Sequence, residues 1–206
     1  MQLLLATRNA GKLEELRELL AGLPLELFSL NDAGIAEEIP EVGDTFLENA
    51  VLKAEGYARL SGLNTLADDS GLTVQALGGA PGVQSARWAG PHASDRDRID
   101  LLLQQLQGVP AHERQAEFRC TVAIAEPAHR VRTVEGVCCG VILDAPRGSH
   151  GFGYDPVFYI PQLGRTMAEL TREEKNRVSH RALAIRAARP ILEDLLVRER
   201  EGGTHE

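Results

Sequence analysis

The chain has 206 residues, 43% apolar and 25% charged, which are ordinary globular proportions. They exclude a disordered chain and a collagen-like fibre, and a chain of this length needs no disulfide staples to bury a core. The net charge of −8, from 22 basic and 30 acidic side chains, argues against a surface that coats nucleic acid.

Leu3 to Ala6 is a short, wholly apolar run ending in Thr-Arg-Asn, as a buried strand would. It has no basic flank and turns polar at Thr7, so no signal peptide is expected. Leucines 13, 16, 19, 20 and 23 recur at helical spacing, stopped by Gly22 and Pro24. Leu25 to Leu30 reads as a second strand, and a loop with Gly34, Pro40 and Gly43 follows. Thr45 and Glu48 have capping-box spacing before a helical stripe of Phe46, Ala50, Val51, Ala54 and Ala58. Leu63 to Ala67 reads as a strand running into Asp68-Asp69-Ser70-Gly71, four residues that each favour turns.

Residues 78–91 are rich in glycine and proline and read as a loop. Ser94 caps a helix with Ile99, Leu102, Leu103 and Leu106 on one face. Residues 115–125 and 131–143 are β-prone and predict a long antiparallel pair. Cys138 and Cys139 fall on opposite faces of the second strand as buried filler. With only three cysteines and no CxxC pair, a reducing, cytoplasmic compartment is expected. A loop at 146–153, a short strand near Val157 and a helical segment near 167–176 come next. The last helix starts at Ser179 and is kinked or restarted at Pro190. No run reaches the roughly 18 apolar residues of a membrane span. The pattern predicts an α/β fold with a mixed central sheet and flanking helices, a single domain over 1–198 and a frayed tail over 199–206.

Four segments carry candidate chemistry. Thr7-Arg8-Asn9-Ala10-Gly11-Lys12 joins a strand to a helix, where unpaired amides favour phosphate. It is no Walker A loop, since Leu13 follows Lys12, and an N-cap by Asn9 with solvated basic neighbours explains it equally well. Glu37, Glu38, Glu41, Asp68 and Asp69 offer hard oxygen ligands for Mg²⁺ and a carboxylate whose pKa like charges would raise into a useful base. Taken alone, Asp68-Asp69 reads more simply as a turn. Phe152-Gly153-Tyr154-Asp155 can set backbone and a ring face against a planar base, or serve as a glycine-rich turn with core aromatics. Lys175, Arg177, His180 and Arg181 gather positive charge at a helix start, where the macrodipole disfavours it, so an anionic or acceptor-rich partner competes with a merely solvated helix end. Asn49 and Lys53 share a helix face, which alone means little.

In order along the chain stand T-R-N-A-G-K at 7–12, F-L-E-N-A-x-x-K-A at 46–54 and A-D-D-S-G-L at 67–72. G-G-A-P-G-V-x-S-A-R at 78–87, F-G-Y-D-P-V-F at 152–158, E-L-T-x-E-E-K at 169–175 and S-H-R at 179–181 follow. Together they resemble the inosine/xanthosine triphosphate pyrophosphatases, the RdgB-like house-cleaning enzymes. The resemblance implies an ITPase-like fold with two lobes around a nucleotide-binding cleft. It implies hydrolysis of ITP, dITP and XTP to the monophosphate and pyrophosphate, dependence on Mg²⁺, and a homodimer. It assigns the triphosphate to Thr7, Asn9 and Lys12 with their loop neighbours Arg8, Ala10 and Gly11, and to Lys53 and Lys175. Metal falls to Glu41 and Asp69, with Asp69 (Asp68 beside it) as catalytic acid. A substrate contact falls to Ser70, and the base pocket to Phe152, Gly153, Tyr154, Asp155, His180 and Arg181. Arg8 departs from the glycine often found there. A regulatory nucleotide-binding module or a phosphate-releasing phosphatase are the competing classes; the acidic cluster speaks against the first and the aromatic loop against the second.

Overall fold

The structure is a computed structural model that describes residues 1–127 and 130–202. Strand β1 (Gln2–Leu5) pairs in parallel with β2 (Glu26–Ser29) and with β3 (Asn64–Val74). Leu3, Leu4 and Leu5 are wholly buried, as a strand covered on both faces demands. Helix α1 (Ala10–Leu19) starts at Asn9, whose side chain accepts from the Lys12 amide at 3.0 Å. Helix α2 (Phe46–Ser61) begins in a full Thr45–Glu48 capping box and ends at Gly62 in the left-handed region. Helix α3 (Asp95–Gln105) has its own box from Ser94 and Asp97.

Strands β4 (Gln115–Ala125) and β5 (Val131–Ile142) lie next, then β6 (Phe158–Ile160) and β7 (Arg165–Thr166) in antiparallel pairing. The seven-stranded sheet runs β2-β1-β3-β4-β5-β6-β7, mixed as the sequence predicts. Helices α4 (Arg172–Val178) and α5 (His180–Gly202) close the chain. No helix among the described residues is long and apolar enough to cross a membrane.

The chain packs as two compact units. The first comprises Met1–Asp69, Thr121–Gly136 and Ala184 onward; the second comprises Ser70–Cys120 and Val137–Leu183. Leu4, Ala6, Leu30, Ala50, Ala54 and Tyr57 build the core of the first. Leu72, Leu102, Phe118, Tyr154, Phe158 and Met167 build the core of the second.

Five local expectations are corrected. Asp68-Asp69-Ser70-Gly71 is not a turn but the middle of β3, because the place of β3 beside β4 in the sheet and lysine partners for both carboxylates override turn propensity. Gly82–Arg87 forms 3₁₀ turns inside the expected loop. Pro190 does not interrupt α5: it sits on the exposed side while Ala188, Leu192 and Leu195 keep the other side packed. Cys138 is buried, but Cys139 is exposed. Residues 199–202 of the expected tail are helical, and 203–206 lie outside the described residues.

Candidate active site

The first unit gathers the basic loop and the acids. The Lys12 ammonium lies 3.0 Å from Asp68 Oδ2. Lys53 Nζ, on α2, bridges Glu41 Oε1 at 2.6 Å and Asp69 Oδ1 at 3.3 Å. Asp68 and Asp69 are 1% and 7% exposed, and such burial makes their charge state a matter of local partners. Burial raises the Asp69 pKa above its ordinary value, although Lys53 and Lys12 pull it down. Glu41 and Asp68 add to the rise by repulsion. Burial also opposes the charge on Lys53, but the carboxylates of Asp69, Asp68 and Glu41 outweigh it and its pKa rises.

Glu41 is held by a loop stapled at several points. Ile39 packs over Gly56, where a Cβ would fall 2.8 Å from Ile39 Cδ1. The Tyr57 hydroxyl accepts from the Ile39 amide and donates to the Glu37 carbonyl, each at 3.3 Å. Asn49 exchanges two hydrogen bonds with the Gly43 backbone, at 2.8 and 3.2 Å. Arg8 Nη2 donates to the carbonyls of Ile35, Ala36 and Glu37 at 3.2, 2.9 and 2.8 Å. Arg8, expected among the phosphate contacts, therefore ties the loop after β2 to the loop after β1. Glu37 and Glu38 point their side chains to solvent and stay outside the cluster. Thr7 accepts from the Asn9 amide at 3.2 Å and Asn9 caps α1, which leaves the first-turn amides of Ala10 and Gly11 to face outward.

Asp69 Oδ2 is buried with no hydrogen-bond partner, while Oδ1 and Glu41 converge on one ammonium. That arrangement fits a hard cation taking carboxylate oxygens. Among the described residues no three His, Cys, Asp or Glu groups converge as a ready-made metal site, so phosphate oxygens and water would complete the shell.

The second unit gathers the remaining candidates. Arg181, 1% exposed, donates to Ser70 Oγ at 2.9 Å and lies 5.8 Å from the Phe152 ring centroid. Lys175 Nζ sits 2.5 Å from Asp155 Oδ2 and 5.0 Å from the same centroid. Lys175, expected at the phosphates, thus stands with the aromatic loop. Asp155 Oδ2 also accepts the Phe152 amide at 3.0 Å. A Cβ at Gly151, where φ is +79°, would strike that oxygen at 2.0 Å, so glycine is required.

His180 stacks on Phe118 with centroids 4.8 Å apart. Ser179 caps α5 by accepting the Ala182 amide, as expected. Tyr154 is a core ring whose hydroxyl donates to the Ser85 carbonyl at 3.0 Å, and burial pushes its pKa upward. Ser85 in turn accepts the Leu72 amide at 2.9 Å. That explains the G-G-A-P-G-V-x-S-A-R segment: it anchors the end of β3 and the aromatic loop. Tyr57 and Ser85 are contributors that spacing did not reveal, and Asn49 left only the faint trace of sharing a helix face with Lys53.

Residues 3–191 match the sequence profile of the Ham1 family. A curated protein from Geobacillus kaustophilus, named dITP/XTP pyrophosphatase, is 52% identical over 184 residues, 89% of this chain and 90% of that one. One of the same name from Bacillus subtilis is 45% identical over 92% of this chain and 96% of its own. Among solved structures, a HAM1 protein from Coxiella burnetii superposes with a TM-score of 0.86 at 42% identity, covering 94% of this chain and 99% of that one. A nucleoside-triphosphatase, dITP/XTP pyrophosphatase, from Mycobacterium abscessus gives 0.74 at 47% identity, covering 91% and 98%. Matched across nearly its whole length in sequence and in fold, the chain belongs to the Ham1 family.

Proposed function

We propose that this protein hydrolyses non-standard purine nucleoside triphosphates (ITP, dITP and XTP) to the nucleoside monophosphate and pyrophosphate, clearing them from the cytoplasmic nucleotide pool. The observation that carries the reading is Asp69: a buried carboxylate with raised pKa, one oxygen without a partner, beside two lysines and a helix-start loop. The names of its relatives, dITP/XTP pyrophosphatase, support the substrate class.

Thr7, Asn9, the amides of Ala10 and Gly11, and Lys12 hold the triphosphate. Asp69 orients the attacking water and takes its proton as the α-phosphorus is struck. Lys12 and Lys53 leave their carboxylate partners for the phosphates and offset charge on the departing pyrophosphate, with Lys175 assigned to the same task by resemblance. Glu41 and Asp69 would hold Mg²⁺, which when bound supplies charge neutralisation at the phosphoryl oxygens. Phe152 offers a ring face to the base, while Ser70 and Arg181 offer polar groups to the nucleoside end. Asp155 and Tyr154 shape that loop, and His180, stacked on Phe118, is assigned to the base pocket by resemblance.

Hydrolysis in ¹⁸O-water should place the label in the monophosphate. Label confined to pyrophosphate means attack at the β-phosphorus and sinks the mechanism. The active form is proposed to be a homodimer made of one catalytic domain per chain. Sedimentation at micromolar concentration should then give twice the chain mass, and a clean monomer contradicts it.

A further inference from the structure

Beyond the base-loop residues themselves, we propose that Asp95, clamped by Arg98, is a positioning residue that fixes the backbone of residues 152–155 and so sets base selectivity. The proposal rests on the assignment of that loop to the base. The Gly153 amide donates to Asp95 Oδ2 at 2.6 Å, a short charge-assisted bond at a residue whose φ is +62°. The other Asp95 oxygen pairs with Arg98 Nη1. The same guanidinium donates through Nε to the Ala86 carbonyl at 3.0 Å and through Nη2 to the Ala93 carbonyl at 2.7 Å. Arg98 thereby welds the 86–93 segment, the start of α3 and the aromatic loop into one network. Tyr154 repeats the tie one residue later, on Ser85.

Asp95 is not needed to start α3. That task falls to the Ser94–Asp97 box, with bonds of 3.2 and 2.8 Å. A carboxylate in the first turn also meets the helix dipole favourably, but this leaves its 2.6 Å bond to a distant loop unexplained. Discrimination by donor and acceptor polarity is worth up to roughly 10⁴–10⁵-fold only when the groups are held in register. A displacement of about 1 Å costs on the order of 10²-fold.

The test compares Asp95→Ala, Asp95→Asn and Arg98→Gln with Phe152→Ala, which alters the loop directly. For each, kcat/KM is measured with ITP, XTP, GTP and ATP, together with inhibition by pyrophosphate, which has no base, and the melting temperature. Asp95→Ala should lower kcat/KM for ITP by about 10–10²-fold and leave the poor rate with ATP nearly unchanged, so that the preference narrows. Pyrophosphate inhibition should stay at the parent value. Asn keeps an acceptor for the Gly153 amide and should recover most of the loss. Arg98→Gln, which spares the capping box, should move selectivity the same way even if Asp95→Ala folds poorly. Narrowing with Phe152→Ala alone overturns the positioning role and leaves the base-loop assignment standing. No narrowing with any variant overturns both.

Discussion

At Asp69 two effects of opposite sign meet, and burial prevails over the neighbouring lysines. The folded state therefore holds the Asp69 proton more tightly than the unfolded chain does. Its contribution to stability is fully present below the ordinary carboxylate value of 3.8 and is lost as pH rises through the raised folded value. Asp69→Asn cannot ionise and escapes this loss. The metal-free variant should melt above its parent at pH 7, with the gap closing as pH falls toward 4, which a thermal-melt series in chelating buffer measures. Activity should move the other way: losing the proposed base alone costs roughly 10²–10⁴-fold in kcat. Near-normal turnover would pass the role to Asp68. In sequence, Asp68-Asp69 read as a turn because propensity counts each residue alone. The partners of its extended form, β4 across the sheet and Lys12 and Lys53 in two separate helices, become neighbours only after folding.

On the scale of elements, helix starts were legible and the loop they support was not. Thr45 and Glu48 announce α2 through a local box, Ser94 and Asp97 do the same for α3, and Asn9 marks α1 as a single N-cap. The loop carrying Glu41 has no period, and its position is set by contacts to Gly56, Tyr57, Asn49 and Arg8. Two substitutions test that dependence. Gly56→Ala gains about 1 kcal/mol of helix propensity, but its Cβ would fall 2.8, 2.9 and 3.2 Å from Ile39 Cδ1, Cγ1 and Cγ2, so Ile39 must move as a whole. Urea unfolding should therefore change by no more than about 1 kcal/mol, while kcat/KM falls several-fold because Ile39 carries Glu41 with it. Arg8→Ala frees three carbonyls at 35–37 and should raise the Mg²⁺ concentration needed for half-maximal rate. If instead it raises only the KM for ITP, Arg8 touches phosphate and does not act as a strap.

For the whole molecule, the alternation of apolar runs and capped helices carried the α/β reading, and the mixed sheet follows from parallel β1–β2 and β1–β3 beside antiparallel β5–β6 and β6–β7. Two lobes were expected from the resemblance, but the place where the chain divides was not legible. It cuts β3 between Asp69 and Ser70, a boundary made by two cores that no linker or composition shift marks. That cut also sorts the candidate residues into two kinetic classes. Lys12, Lys53 and Glu41 belong to the first unit and, in the proposed reading, serve what every nucleoside triphosphate shares. Phe152 and Arg181 belong to the second, where the groups available can tell one base from another. Hypoxanthine and xanthine present an acceptor at O6 beside a donor at N1, and adenine reverses both. A donor such as Arg181 aimed at O6 would face another donor when ATP binds, and an unpaired buried group is costly. Lys12→Ala should therefore lower kcat/KM for ITP, XTP, GTP and ATP by one common factor. Arg181→Ala should lower it sharply for ITP and XTP and hardly at all for ATP. Steady-state kinetics over the four nucleotides decide between them, and a common factor in both variants would assign Arg181 to the phosphates.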